Sequence, residues 1–146
     1  MHFVMGGAFH GKRNWIIKDN QLNDRNCHWF NGYQQSRNIL ELNLTNINTN
    51  TLVIEGIEQM VVELIKTNKV VLPLFQNWLH QLLVWEEQGS NRNVIIIGTD
   101  IGKGVVPIEK EQRIIRDEVG RCFQELTFQA AKVSLIWYGL QQVLKE

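Results

Sequence analysis

The sequence carries no net charge and no long apolar run, and each absence excludes a class of function. Its 146 residues include 15 Lys and Arg against 15 Asp and Glu, and the basic residues form no block. Because no positive field would attract a phosphate backbone, we do not expect nucleic acid or an anionic membrane as a partner. No apolar run approaches the roughly 18 residues of a membrane span, and no signal-peptide pattern is visible. We therefore expect a cytoplasmic protein without a membrane span.

Cysteine is also scarce. Cys27 and Cys122 lie far apart, and neither belongs to a CxxC pair. This pattern predicts buried free thiols rather than a disulfide or a metal site, which fits a reducing cytoplasm. We expect no metal centre built from cysteine and histidine.

The apolar residues that are present predict a layered α/β fold. Short β-branched runs, which suit buried strands, occupy residues 2–5, 51–55, 93–98 and 132–139. Helical spacings of apolar residues occupy 57–66, 72–87 and 109–131. Strands that alternate with helices predict a parallel sheet with helices on both faces, in a single domain over residues 1–146.

Residues 19–50 differ from the rest of the chain. They are rich in Asn and Gln and include one short apolar alternation, at residues 39–44. We interpret this stretch as a loop with one edge strand near that alternation.

A glycine-rich loop follows the first predicted strand. It is formed by Gly6, Gly7, Ala8, Phe9, His10, Gly11, Lys12 and Arg13, and is called the first loop below. GxxxxGK between a strand and a helix aims backbone N–H groups and a lysine at one point, which suits a nucleotide phosphate. The pattern therefore predicts a site for ATP or GTP, and a purely structural glycine turn is the alternative.

Arg13 stands where such a loop normally has Ser or Thr, whose hydroxyl binds Mg²⁺. A guanidinium has no acceptor atom, so a magnesium ion would need another ligand. Arg13 could instead bind a phosphate with two N–H groups, replacing part of the metal's charge. A solvated arginine in the first helical turn is equally compatible with the sequence.

A second glycine-rich loop, residues 98–107, follows a predicted strand at the end where open α/β sheets bind ligands. Its candidate substrate or nucleotide residues, together with two arginines on the next helix, are Thr99, Asp100, Gly102, Lys103, Gly104, Arg113 and Arg116. For the two arginines, an ordinary charged helix face is the alternative. His10, within the first loop, could contact phosphate or point to solvent.

These motifs resemble the adenosylcobinamide kinase/adenosylcobinamide-phosphate guanylyltransferase family over about half of the chain. In the C-terminal half, the matches are Thr99, Gly102, Gly104, Val106, Pro107, Arg113, Arg116, Asp117, Gly120, Gln124, Ala130, Val133, Gly139 and Lys145. Gly6, Gly7, Gly11 and Lys12 match the family's first loop, and Glu55 matches a carboxylate that ends a strand.

The resemblance implies a P-loop NTPase-like fold, assembly as a homo-oligomer of three subunits, and a nucleotide-dependent transferase of cobalamin biosynthesis. Its substrates would be ATP or GTP and an adenosylcobinamide-type corrinoid. Lys12 would neutralise charge in the transition state, and Glu55 would act on magnesium or water near the phosphates. Guanylyl transfer would proceed through a guanylylated histidine.

The chain departs from the family pattern at four places. Arg13 replaces Ser, Asp100 replaces Glu, Phe123 replaces Asn, and the segment that carries the family's nucleophilic histidine is missing from the shortened residues 19–50. His28 is the nearest substitute, and an exposed loop histidine is its simpler interpretation. We therefore favour retention of phosphoryl transfer over guanylyl transfer. The alternatives are a non-catalytic homologue that binds nucleotide or an active partner subunit, and a small-molecule kinase of other specificity.

Overall fold

Six β-strands form one sheet in the computed structural model of the chain, which describes residues 1–35, 39 and 42–146. The strands are β1 (His2–Gly6), β2 (Cys27–Asn31), β3 (Thr51–Glu55), β4 (Asn93–Thr99), β5 (Lys132–Trp137) and β6 (Leu140–Lys145). They lie in the order β2-β3-β4-β1-β5-β6, and all neighbours pair in parallel except β5 and β6. The carboxyl ends of β1, β3 and β4 therefore meet at one edge of the sheet.

Helices cover both faces of this sheet. They are α1 (Lys12–Asp19), α2 (Gly32–Gln35), α3 (Ile57–Thr67), α4 (Val71–Glu87) and α5 (Lys110–Gln129). On one face, Ile16 of α1 is fully buried against strand residues that include Val4 and Ile136. On the other face, α3, α4 and α5 contribute to the larger core, in which Phe3 packs against Phe123. The predicted P-loop NTPase-like α/β fold is thus confirmed.

The buried strands and amphipathic helices agree with their sequence patterns. β3 and β4 carry runs of fully buried side chains because both of their faces are covered. In α3, Met60 and Leu64 are spaced by about one helical turn and both are completely buried. These elements begin and end within two residues of the predicted bounds.

Two elements differ from the sequence-based prediction. The edge strand is β2, at Cys27–Asn31, whereas the alternation at 39–44 lies partly outside the described residues. The predicted strand 132–139 ends at Trp137, where Tyr138 and Gly139 turn with positive φ angles of 49° and 81° into β6. This geometry is typical of a two-residue hairpin turn.

Neither cysteine takes part in a disulfide. Cys122 is buried, as expected, but Cys27 is only half-buried because it begins the edge strand. In the described part of the chain, no helix combines the length and the apolar character that crossing a membrane requires.

Candidate functional site

The first loop connects β1 to α1 and depends on glycine at both ends. Gly6 ends β1, and a Cβ at this position would lie 2.4 Å from the backbone oxygen of Ile136. Gly11 precedes α1 in a left-handed conformation with φ of 80°, which glycine adopts without strain. No described side chain caps α1, so its first N–H groups remain available to a ligand. This is the geometry in which a helix N-terminus binds phosphate.

Lys12 begins α1, and its side chain turns back across the loop. Its ammonium donates hydrogen bonds to the backbone oxygens of Gly6 at 3.3 Å and Gly7 at 2.7 Å, and to Thr99 Oγ1 at 3.1 Å. Only 9% of the residue is exposed. These three contacts hold one positive charge at the mouth of the loop, next to the end of β4.

The surroundings of Lys12 act on its pKa in opposite directions. Burial lowers the pKa from its ordinary value of 10.5, and the negative charges of Glu58 and Glu55 partly offset that effect. The net direction is downward. The two carboxylates therefore help to keep the ammonium charged for an anionic ligand.

The side chain of Arg13 contacts residues of β2 and β3. Its Nη1 donates a 2.8 Å hydrogen bond to Glu55 Oε2, and its guanidinium lies 4.6 Å from the ring centre of Trp29. The indole Nε1 of Trp29 donates to the same oxygen of Glu55 at 2.9 Å. One carboxylate oxygen therefore joins an arginine from α1 to an aromatic ring from the edge strand.

A second cluster lies beside Lys12. Glu58, in the first turn of α3, is 5% exposed; it accepts the backbone N–H of Thr99 at 2.9 Å and the hydroxyl proton of Tyr33. The Tyr33 hydroxyl also lies 3.2 Å from Thr99 Oγ1. Burial first, and then the bond to Glu58, raise the pKa of Tyr33 above its ordinary value of 10.0, so its hydroxyl stays protonated even in alkaline solution.

These groups surround a cleft of about 590 Å³ at the carboxyl edge of the sheet. Its lining residues are Ala8, Phe9, His10, Gly11, Lys12, Arg13, Asn14, Tyr33, Glu55, Glu58, Ile97 and Thr99. The volume lies within the range of small-molecule sites. A cleft with two cations, two carboxylates and uncapped helix N–H groups suits a phosphorylated ligand with a polar acceptor.

Most of the second loop lies outside this cleft. Thr99 lines it, but Asp100 accepts the N–H of Gly102 at 2.8 Å in a local turn. Lys103 and Gly104 are exposed and do not line the cleft.

The two arginines of α5 bind the second loop itself. Arg116 donates to the backbone oxygens of Gly102 and Gly104, and Arg113 donates to those of Pro107 and Ile108. In this arrangement their guanidinium groups support the loop backbone.

The two candidate histidines occupy different places. His10 lines the cleft; its Nδ1 accepts the N–H of Gly7 at 3.1 Å, and its ring centre lies 4.5 Å from that of Tyr138. The sequence favours a loop for His28, but this residue lies on strand β2, where it is exposed. It lines a separate depression of about 250 Å³ next to Cys27. His28 is therefore outside the cleft that holds Lys12.

The residues at this position do not match the usual magnesium site of a phosphate loop. The hydroxyl ligand is replaced by Arg13, and Glu55 Oε2 already accepts two hydrogen bonds, from Arg13 and from Trp29. Within residues 1–35, 39 and 42–146, no group of three or more His, Cys, Asp or Glu side chains could hold a metal ion. Lys12 and Arg13 both supply positive charge to this cleft.

Comparison with family models decides the relationship of this chain to known proteins. The model for cobinamide kinase / cobinamide phosphate guanyltransferase matches residues 17–144. The chain belongs to the cobinamide kinase / cobinamide phosphate guanyltransferase family. No curated protein matches it. The predicted family is thus confirmed, and the activities in the family's name support the expectation of a nucleotide-using type of transferase.

The family match begins after the first loop, so the function assigned to residues 6–13 rests on their own geometry. That geometry includes residues that the sequence analysis missed. Glu58 is three residues after Glu55, at the start of a helix, and this spacing could have indicated a second carboxylate. Trp29 and Tyr33 belong to β2 and α2, which were not recognised in the sequence.

Proposed function

We propose that this member of the cobinamide kinase / cobinamide phosphate guanyltransferase family is a cytoplasmic, oligomeric enzyme that retains the kinase reaction. It binds ATP or GTP at the first loop and transfers the terminal phosphoryl group to the aminopropanol arm of a cobinamide-type corrinoid. By resemblance to the family, three subunits form the active particle. Guanylyl transfer is absent.

The position of Lys12 carries this proposal. Its ammonium is fixed by two loop carbonyls and by Thr99, at the N-terminus of an uncapped helix. Phosphoryl transfer requires little more of the protein than alignment and stabilisation of charge on the phosphate oxygens. A preorganised ammonium beside N–H groups supplies both.

The reaction balances with groups of this cleft. The corrinoid alcohol oxygen forms a bond to the terminal phosphorus while the bond from that phosphorus to the bridging oxygen breaks, which releases the nucleoside diphosphate. Glu55 accepts the alcohol proton through Oε1, which receives no hydrogen bond from the described part of the chain. Lys12 stabilises the negative charge on the transferred group and the leaving oxygen.

The histidines argue against guanylyl transfer, which in the family proceeds through a covalent histidine intermediate. His28 lies on the exposed edge strand and lines a different depression. The ring of His10 accepts the N–H of Gly7 and packs against Tyr138, both within the loop and its support. A histidine that acts as the nucleophile would have to approach the phosphorus in line with the leaving group.

The test separates the two reactions. Purified protein is incubated with adenosylcobinamide and either ATP or GTP, and mass spectrometry detects cobinamide phosphate and GDP-cobinamide. We expect cobinamide phosphate and a stoichiometric amount of nucleoside diphosphate, with no GDP-cobinamide. Lys12→Met, which keeps most of the length of the side chain but removes its charge, should reduce the rate at least about 100-fold, which is typical of lost electrostatic stabilisation.

A second function is favoured by one observation. Arg13 donates a hydrogen bond to Glu55 Oε2, so only the other oxygen of that carboxylate is left to act in catalysis. If the nucleotide binds but no corrinoid product forms, the chain is a non-catalytic homologue that holds nucleotide or an active partner subunit. Formation of GDP-cobinamide would overturn the assignment of a kinase alone.

A further inference from the structure

Arg13 is placed between a carboxylate and the open cleft. Its Nη1 donates to Glu55 Oε2 at 2.8 Å, and its guanidinium stacks over Trp29. The side chain is 50% exposed, whereas that of Glu55 is 13% exposed. One end of the guanidinium is thus fixed on a half-buried anion, and Arg13 lines both the cleft that holds Lys12 and the depression beside Trp29.

We infer that the Arg13 guanidinium replaces the divalent cation of this site, bridging Glu55 and a nucleotide phosphate, so that nucleotide binds without Mg²⁺. This inference rests on the proposed binding of ATP or GTP at the first loop. It defines how the charge of the bound phosphates is balanced.

The chemistry of Mg²⁺ and of the guanidinium supports the replacement of one by the other. In a phosphate loop, Mg²⁺ connects phosphate oxygens to protein oxygens, including the hydroxyl that follows the lysine. Arginine has five N–H donors in a planar fork that matches two phosphate oxygens, and one Nη1 contact leaves most of them free. A guanidinium is also weakly hydrated and always charged. It therefore loses little hydration when it binds phosphate, and its charge does not depend on the concentration of a metal ion.

Contacts with Trp29 fix the position of the Arg13 guanidinium. The guanidinium lies over the ring of Trp29, and the Nε1 of Trp29 donates to the same Glu55 oxygen that Arg13 contacts. A magnesium ion bound to Glu55 Oε2 would have to displace both donors, and one bound to Oε1 would lie close to the fixed positive charge of Arg13. The arrangement therefore disfavours the metal electrostatically as well as by ligand type.

Calorimetric titration with GTP and with ATP, in EDTA and in MgCl₂, tests the inference. For the wild-type protein we expect the dissociation constant to differ by less than about threefold between the two solutions. Arg13→Ser restores the usual hydroxyl. It should bind about 10-fold to 100-fold more weakly than wild type in EDTA, the effect of losing a charge-assisted contact, and should regain affinity with Mg²⁺.

Arg13→Lys is the matched control, because it keeps the charge but not the planar fork. We expect its affinity in EDTA to fall between those of wild type and Arg13→Ser. Tryptophan fluorescence provides a second readout: nucleotide should change the emission of wild-type protein in EDTA, and Trp29→Phe should remove most of that change.

Each outcome is decisive. Wild-type binding that requires Mg²⁺, or an Arg13→Ser variant that binds as tightly as wild type in EDTA, overturns the replacement of the metal and leaves the proposed nucleotide site intact. Absence of wild-type binding in both solutions overturns the proposed function itself, and this inference with it.

Discussion

The ammonium of Lys12 donates a 3.1 Å hydrogen bond to the hydroxyl of Thr99, which is 87 residues further along the chain. The contact exists because β1 and β4 are parallel neighbours whose register pairs Gly6 with Thr99. Two glycine-rich loops that are remote in sequence therefore meet at one lysine. Their junction fixes the charge at the mouth of the cleft.

Replacing Thr99 by Val should weaken nucleotide binding by about threefold to tenfold. The change removes one of the three acceptors that hold Lys12 and keeps the shape of the side chain, and a single hydrogen bond contributes roughly 1 kcal/mol. Calorimetric titration with GTP measures the change. Thr99→Ser keeps the hydroxyl and should bind within about twofold of wild type. Equal affinities for Val and Ser would contradict the role assigned to the hydroxyl.

Gly6→Ala should destabilise the protein by more than about 2 kcal/mol. A Cβ there would lie 2.4 Å from the backbone oxygen of Ile136, and neither strand can move away without breaking the sheet. Urea denaturation measures the effect. Gly120→Ala, inside α5, should instead stabilise by about 0.5 to 1 kcal/mol, because among the described residues the new Cβ would meet nothing within 4 Å beyond its sequence neighbours and its own helix backbone. A destabilising Gly120→Ala would show that a neighbouring group occupies the space beside Gly120.

The sequence was sufficient to predict the strands whose side chains are buried on both faces. β3 and β4 appear as continuous β-branched runs because helices cover them on each side. β2 and β6 were missed because each lies at an edge of the sheet. β6 is almost wholly exposed and β2 has a single buried residue, so neither sequence has such a run. Only the pairing with β3 and with β5 identifies these two segments as strands.

The candidate site, like the sheet, could be predicted from the sequence only in part. Lys12, Glu55 and Thr99 follow or end buried strands, and parallel strands bring such positions to one edge, so their proximity could be expected from the sequence. Tyr33 could not be expected there, since its position depends on the unrecognised strand β2. Nor does spacing reveal side-chain direction: Arg116 matched a motif, yet its guanidinium binds backbone oxygens of the second loop.

Stability should fall between pH 6.5 and about 4 because of His2. This residue is 8% exposed, and its Nε2 lies 2.8 Å from Ser134 Oγ. Burial and then Lys132 lower its pKa from 6.5 to about 4, opposed by Asp19 and reinforced by the N-terminal amine. The unfolded chain therefore binds a proton that the folded chain excludes, so stability present above pH 6.5 is lost as the pH falls.

Urea denaturation across that pH range should show a decrease of about 2 to 3 kcal/mol in the free energy of unfolding. His2→Gln can still bond to Ser134 but does not titrate, and its unfolding free energy should stay nearly constant over the same interval. A wild-type profile that is equally flat would show that His2 remains accessible to protons in the folded state.

Nucleotide affinity should decline at alkaline pH, and at lower pH than an ordinary lysine would cause. Lys12 must be charged to bind phosphate, and burial lowers its pKa below 10.5, so affinity is lost as the pH rises through that lowered value. Glu58→Gln removes a charge that raises the pKa of Lys12 and keeps an acceptor for the Thr99 N–H. The pH midpoint of the affinity loss should therefore shift further down in this variant.

Glu63→Gln is the control. It removes a carboxylate of the same helix that bonds to Lys66 instead, and should leave the midpoint unchanged. Titrations with GTP over a pH series measure all three proteins, and equal midpoints for the two variants would exclude electrostatic support of Lys12 by Glu58.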